Sequence, residues 1–239
     1  MSNPLTQTRA DRRRFLLSAG SLAATFALAS CATRIGPVDR TVELAPAEPF
    51  MGGGSSGLNP AAMYGPVYDE GYQIPAVPFE KIDPQFYRQI VPNPTGEKPG
   101  TVVVDTGSHF LYYTMPNGQA MRYGVGLGRE GFAWSGRAVV QWKRKWPTWT
   151  PPDEMIARQP ELAPYSAENG GMEPGLNNPL GARALYIFQN GEDTLYRLHG
   201  SPEWASIGRN VSSGCVRLMN QDVIDLYDRV PNGTPIVVI

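Results

Sequence analysis

Cys215 stands among small residues in the run SSGCVRLMN (212–220), and His199 precedes it by sixteen positions. A thiol is a nucleophile only as thiolate, so a reactive cysteine needs a base or a cation beside it. The chain has two histidines, His109 and His199. His199 ends the predicted strand TLYRLHG (194–200), where a loop could bring Cys215 back to the imidazole. Gly214 lacks a Cβ and lets backbone amides converge beside the sulfur. Amides of Ser213, Gly214 and Cys215 would then stabilise the oxyanion of an acyl-transfer intermediate. The second ring nitrogen of His199 needs an acceptor, and the Gly200 carbonyl is adjacent. The same residue types also fit a buried structural cysteine and a satisfied core histidine. His109, in the turn TGSHF, reads as a surface or packing residue. One cysteine and two histidines do not make the three or four ligands that zinc takes, so neither metal nor cofactor is expected.

The compartment sharpens the question. RRRFL sets paired arginines, Arg12 and Arg13, before Phe15 and Leu16, and LLSAGSLAATFALAS follows as an apolar or small run. That run is short and rich in Ala, Ser and Gly for a membrane span and reads instead as an export signal over residues 1–30. Paired Arg before Phe-Leu resembles the twin-arginine signal of the bacterial envelope. LASC (28–31) resembles a lipobox, which makes Cys31 a lipidation candidate and a route to membrane attachment; ALA (27–29) equally suits ordinary cleavage. Oxidising compartments favour paired thiols. Cys31 would be removed, lipidated or carried on a tether, so Cys215 is expected to stay a thiol, which favours a functional role.

Composition is ordinary for a globular protein: 239 residues, 41% hydrophobic and 18% charged. The 26 Gly and 23 Pro favour strands and turns over long helices. The net charge is −1, yet Arg9, Asp11, Arg12, Arg13 and Arg14 lie in the leader; without them 17 basic residues face 21 acidic ones. A polyanion partner needs a basic face, so nucleic acid is not expected.

The elements that must hold Cys215 and His199 follow from the pattern. Residues 31–98 read as a Pro/Gly-rich tether, with ten prolines between 34 and 98 and the run MGGGSSG. Its second half, YDEGYQIPAVPFEKIDPQFYRQIV, carries aromatics and is expected to lie against the domain. Residues 99–239 read as the catalytic domain. TVVVD (101–105) is a strand, and FLYYTM, PNG and AMRYGVGLG make a hairpin. AVVQWKRKW (138–146) is another strand. Its cluster Trp142, Lys143, Arg144, Lys145, Trp146 reads either as a solvated edge with packed tryptophans or as a partner for acidic peptides. ALYIFQ, NGED and TLYRLHG form a second hairpin. NQDVIDLYDRV (220–230) is the one good helix, with Asn220 as its cap and an apolar stripe from Val223 to Val230. TPIVVI closes the chain as a strand.

HGSPEWASIGRNVSSGCVRLMNQDVIDLYDRVPNGTPI (199–236) resembles the catalytic motif of the YkuD-type L,D-transpeptidases: H-G, a spacer, then S-x-G-C-x-R. YGVGLGREGF, PTWTPP and NNPLGARALYI resemble the ErfK/YbiS-like branch of that family. The resemblance implies a mostly-β, YkuD-type β-sandwich with one main helix after the catalytic loop. It implies that Cys215 attacks peptidoglycan stem tetrapeptides after the L-centre of meso-diaminopimelate, that D-Ala leaves, and that an amine takes the acyl group. Under it His199 is the proton acceptor and donor, the Gly200 carbonyl orients the ring, Ser212 is the motif serine, and Arg217 supports the loop or a substrate carboxylate. Carbapenems are the covalent inhibitors it implies. Many members carry His where this chain has Ser213, which leaves His199 as the credible base. PTWTPP and NNPLG are expected to shape the walls of the cleft.

Overall fold

Short β-branched and aromatic runs punctuated by Gly, Pro and Asn fold here as strands and turns. The computed structural model describes residues 58–128, 135–212 and 214–239, with the side chain of Ser212 outside that set. The signal-like segment, Cys31 and MGGGSSG lie outside the described residues. The first described stretch, here called the arm, carries α1 (Pro60–Met63), β1 (Val67–Asp69), β2 (Tyr72–Ile74) and β3 (Gln89–Pro92). β4 (Val102–Asp105), β5 (Phe110–Met115), β6 (Gln119–Gly124), β7 (Leu127–Gly128) and β8 (Gly136–Lys145) follow. A long connection holding α2 (Asp153–Arg158) leads to β9 (Arg183–Gln189) and β10 (Glu192–Ser201). β11 (Asn210–Ser212) and β12 (Val216–Met219) flank Cys215, and α3 (Asn220–Arg229) and β13 (Thr234–Val238) end the chain.

The Asn-Gly pairs of the two predicted hairpins behave as expected. Asn117 and Gly118 have φ of 62° and 69°, and Asn190 and Gly191 have 53° and 84°. Two consecutive positive φ angles match the twist of flanking strands, so these pairs close the β5–β6 and β9–β10 hairpins. The main sheet runs β12-β10-β9-β8-β13-β4-β5-β6-β3. β12 lies parallel to β10 and β13 parallel to β4. The strip curls until its ends meet: Gly126, just past β6, exchanges both backbone hydrogen bonds with Arg217 of β12, at 2.9 and 2.8 Å.

One core fills the curl. Val104, Leu111, Tyr123, Leu185, Leu198, Val216 and Leu218 face it, and α3 closes it with Val223, Leu226 and Val230. Each fully buried Val or Leu contributes about 1.5–3 kcal/mol. An exposed ion pair such as Lys145–Glu70 contributes about 0–1 kcal/mol. The positions of β10 and β12 are therefore set by the apolar face they turn inward. α3 is the longest helix, joined among the described residues by two shorter ones.

Two expectations need correction. Asn220 does not cap α3: it is the helix's first residue, and its Oδ1 accepts from Ala182 N at 2.9 Å. Ala182 precedes β9, so the side chain ties two elements together instead of serving its own helix. The cluster 142–146 is not a solvated edge either, because β8 lies inside the sheet between β9 and β13. A bulge between Val140 and Trp142 reverses which face later residues take. Lys143 then reaches the Tyr227 carbonyl on α3, while Trp142 stacks on Tyr186 on the opposite face at 3.5 Å.

The arm is bound to the domain through buried polar contacts. Arg183 makes two 2.7 Å bonds to Asp69, and Trp146 Nε1 donates to the same carboxylate at 2.7 Å. Tyr72 stacks on Trp146 at 3.9 Å. Tyr64 donates to the buried Asp222, and Arg88 lies 3.5 Å from that carboxylate. Burial pushes the Asp222 carboxyl up to about 7, with Arg88 pulling the other way. Among the described residues no helix is long and apolar enough to cross a membrane.

Gly200, the residue after His199, has no room for a side chain. A Cβ there would sit 2.3 Å from Asn220 Oδ1 and 2.9 Å from Val223 Cγ1. Gly181 meets the same crowding with φ of +59°, its added Cβ falling 2.6 Å from the Gly200 carbonyl carbon. Gly200→Ala is expected to cost about 1–3 kcal/mol by overpacking, seen as a lowered thermal transition. In Gly200→Ala/Asn220→Ala the clash is relieved, so the double variant should lose less than the sum of the singles. Strictly additive losses would contradict this junction.

Candidate active site

β10 and β12 bring the two reactive residues together because they run parallel in fixed register. Leu198 pairs with Val216 and His199 with Arg217. Leu198, Val216 and Leu218 turn into the core, so the alternating residues Arg197, His199 and Arg217 face the other way. Cys215 immediately precedes β12, and the backbone amide of Arg197 hydrogen-bonds its sulfur. Cys215 thus lies one strand across from His199 and two residues back along β10. Gly214, with φ of +117°, makes the bend into Cys215, a conformation that favours glycine. The backbone of Ser212 ends β11; Ser213 lies outside the described residues.

His199 is 4% exposed. Its Nδ1 lies 2.7 Å from the Gly200 carbonyl. A carbonyl can only accept, so Nδ1 carries the proton and Nε2 is left as the basic nitrogen. The Pro179 carbonyl also lies beside the ring and favours its protonation. Burial holds the imidazole down to about 4, and the guanidinium charges of Arg217 and Arg197 add to that while the two carbonyls oppose it. The ring is neutral in the resting protein at pH 7.

Cys215 is half-buried and carries a thiol. Burial pushes the thiol above its ordinary range, and the Arg197 amide and the charges of Arg197 and Arg217 only partly counter this. Thiol and imidazole therefore rest as a neutral pair. Nε2 of His199 is thus the ring position free to accept a proton, and the Cys215 thiol is the acidic group on the same strand face.

Arg197 and Arg217 are both held. Asp193 takes Arg197 in a two-pronged pair at 2.7 and 2.8 Å, and the guanidinium lies 4.5 Å from the Tyr186 ring centre. The row Trp142, Tyr186, Arg197 leads across three strands to the sulfur. Arg217 pairs with Glu203. Asn178 is 1% exposed and donates to the carbonyls of Pro147, Met172 and Glu173, which ties down the connection that carries Pro179. Sequence reasoning missed Arg197, and it named Asn178 and Pro179 only within NNPLG, as cleft wall, without their contacts. Arg197 had a signal, standing two residues before His199 on a strand; the other two act through contacts that no periodicity announces. His109 meets Asn210 Oδ1 at 2.9 Å, a turn contact. Among the described residues no group of His, Cys, Asp and Glu is arranged to hold a metal.

A family model for the L,D-transpeptidase catalytic domain, YkuD, matches residues 99–238, more than half of the chain. The chain is 34% identical over 146 residues to the probable L,D-transpeptidase ErfK/SrfK of Escherichia coli K12, covering 58% of this chain and 43% of that protein. It is 51% identical over 83 residues to the putative L,D-transpeptidase YkuD of Bacillus subtilis 168, covering 35% and 47%. The chain spans less than half the length of these two curated relatives. A solved structure from Brucella melitensis, described as a probable carnitine operon oxidoreductase caia, is 44% identical and covers 68% of this chain and 99% of that one, with a TM-score of 0.46. That description belongs to that protein, and an overlap this loose supports no inference about activity. With its catalytic-domain match, and with relatives named ErfK/SrfK, YbiS and YcfS, the chain belongs to the YkuD-type L,D-transpeptidase family, close to the ErfK/YbiS/YcfS branch.

Proposed function

We propose that this chain is a cysteine L,D-transpeptidase acting on peptidoglycan stem tetrapeptides, with Cys215 as nucleophile and His199 as the proton carrier. The observation that carries the reading is the neutral imidazole of His199, pinned through Nδ1 to the Gly200 carbonyl on the strand beside Cys215. Nε2 takes the thiol proton as sulfur attacks the carbonyl that follows the L-centre of meso-diaminopimelate. The C–S bond forms, the amide C–N bond breaks, and the same proton passes to the leaving amine of D-Ala. An acceptor amine then attacks the thioester, gives its proton to His199, and the thiol is restored. The amides of Ser213, Gly214 and Cys215 are assigned to the oxyanion, with the positive φ of Gly214 supporting a bend that aims them inward. Ser212 and Arg217 are assigned to support of the loop. The site needs no metal or cofactor in this scheme.

The direct test gives the protein purified tetrapeptide fragments and follows products by mass. The expected result is a thioester on Cys215, release of D-Ala and crosslinked dimers. D-amino-acid exchange, transfer to a lipoprotein lysine, or tripeptides would assign the same acyl-enzyme to other acceptors. Cys215→Ala should form no adduct with tetrapeptide or with a carbapenem. His199→Ala should slow acylation by roughly 100- to 10,000-fold, the usual contribution of a general base. An adduct on Cys215→Ala, or full-rate acylation by His199→Ala, would sink the assignment.

The substrate of such an enzyme lies outside the cytoplasm, and residues 1–30 are assigned to its delivery there as a twin-arginine-like signal, with Cys31 as the site of a lipid anchor. Arg12→Lys/Arg13→Lys should hold the precursor in the cytoplasm, because the route reads the guanidinium pair. Normal delivery of that variant to the envelope would remove the twin-arginine reading.

A further inference from the structure

The arm reaches the site as well as the domain. A cavity of about 230 Å³ is walled by Ile74–Val77 of the arm, by Leu176 and Asn177, by Ser201, Pro202 and Trp204, and by Asn220 and Gln221 at the start of α3. Two of these walls continue directly from His199. Ser201 follows it by two residues on β10, hence on the same face and about 6–7 Å further along. Asn177 precedes by two residues Pro179, whose carbonyl meets the imidazole.

The arm wall is built into place. Ile74 is 2% exposed and packs with Trp146 and Ala182. Gln221 Nε2 donates to the carbonyls of Pro75 and Gly65 at 3.0 and 3.1 Å. Val77 N donates to the Tyr64 carbonyl at 2.9 Å. A wall fixed at one end by a buried side chain, and by hydrogen bonds at Pro75 and Val77, holds its shape without a ligand.

The lining selects the occupant. It contains no Asp, Glu, Lys, Arg or His, so a carboxylate or ammonium placed there would lose its hydration with no countercharge. Apolar Ile74, Val77, Leu176 and Trp204 share the lining with the side-chain amide of Asn177 and with Asn220 and Gln221, a mixture that suits a peptide group flanked by a small side chain. The volume equals roughly seven or eight water molecules. That is room for about one small residue with its amide, and too little for a disaccharide.

We propose that arm residues 74–77, which precede the family-matched segment, form one wall of a substrate subsite beside His199 that takes an uncharged backbone amide of the stem peptide, with the D-Ala carboxylate and the charged end of meso-diaminopimelate lying outside it. The proposal deepens the transpeptidase reading and rests on it. It makes the arm a specificity element: the catalytic pair is carried by β10 and β12, while part of the substrate is selected by a segment far away in sequence.

The test separates the subsite from the chemistry by reading binding. Calorimetric titration of purified stem tetrapeptide into full-length Cys215→Ala gives the reference affinity. Filling the cavity from the arm side with Ala76→Phe, or from the facing wall with Asn177→Phe, should weaken binding at least roughly tenfold. In chains that keep Cys215, the same substitutions should leave the rate of alkylation by iodoacetamide unchanged, because neither side chain is part of the Cys215–His199 pair. If Ala76→Phe does not fold, Asn177→Phe decides. Binding within about twofold of the reference in a folded cavity-filled variant overturns the subsite. A reference protein that does not bind tetrapeptide overturns the subsite and the transpeptidase reading together. Tenfold weaker binding in a protein that forms no acyl-enzyme keeps the subsite and removes the transpeptidase reading alone.

Discussion

The active face depends on a contact between two glycines and one amide. Gly181 and Gly200 approach each other so closely that neither has room for a Cβ, and Asn220 Oδ1 occupies the space that both would need. That oxygen also accepts from Ala182, so the start of β9, the end of β10 and the start of α3 are joined at one point. His199 immediately precedes this point, and its ring is oriented by the carbonyl of the crowded glycine itself. The orientation of the base thus follows from backbone packing, without the carboxylate that orients many catalytic histidines. A backbone carbonyl fixes the tautomer while adding no negative charge, which leaves burial free to keep the ring neutral.

The electrostatics fit that arrangement. Two guanidinium groups flank the pair and disfavour an imidazolium while favouring a thiolate. Burial works against both charged forms and outweighs the arginines at the sulfur. Asp193 and Glu203 hold Arg197 and Arg217 from the outer side, which limits the arginines' pull on the thiol. The resting state is therefore protonated sulfur and neutral imidazole, and in the proposed mechanism the charge separation that accompanies attack would fall within reach of cations already in place.

Much of this was legible in the sequence where the physics is local. The Asn-Gly pairs at 117–118 and 190–191 need positive φ, and they close the two hairpins. The stripe Val223, Leu226, Val230 buries one side of α3. The approach of Cys215 to His199 was foreseen as a loop returning to a strand end, though the strand Val216–Met219 that follows it was not named. What escaped the sequence is long-range. Asn220 has the residue type of a cap, but its side chain is drawn to Ala182, nearly forty residues away. Trp142 and Lys143 look like one cluster until a bulge sends them to opposite faces. The second half of the tether carries enough aromatics to suggest contact with the domain, yet nothing in its pattern names Arg183, Trp146 and Asp222 as its partners.

The central claim is that His199 stands neutral beside a protonated Cys215, with its proton on Nδ1. The chain has two histidines, so nitrogen-15 NMR of histidine-labelled protein resolves the question directly. His199 is held down to about 4, so its ring should show the Nδ1-protonated neutral tautomer across the range from about pH 5.5 to 9, and should charge only in more acid solution. That behaviour should vanish from the spectrum of His199→Gln, which identifies the signal. An imidazolium at pH 7, titrating together with the sulfur, would show that the pair rests as thiolate and cation, and the account given of its chemistry would be wrong.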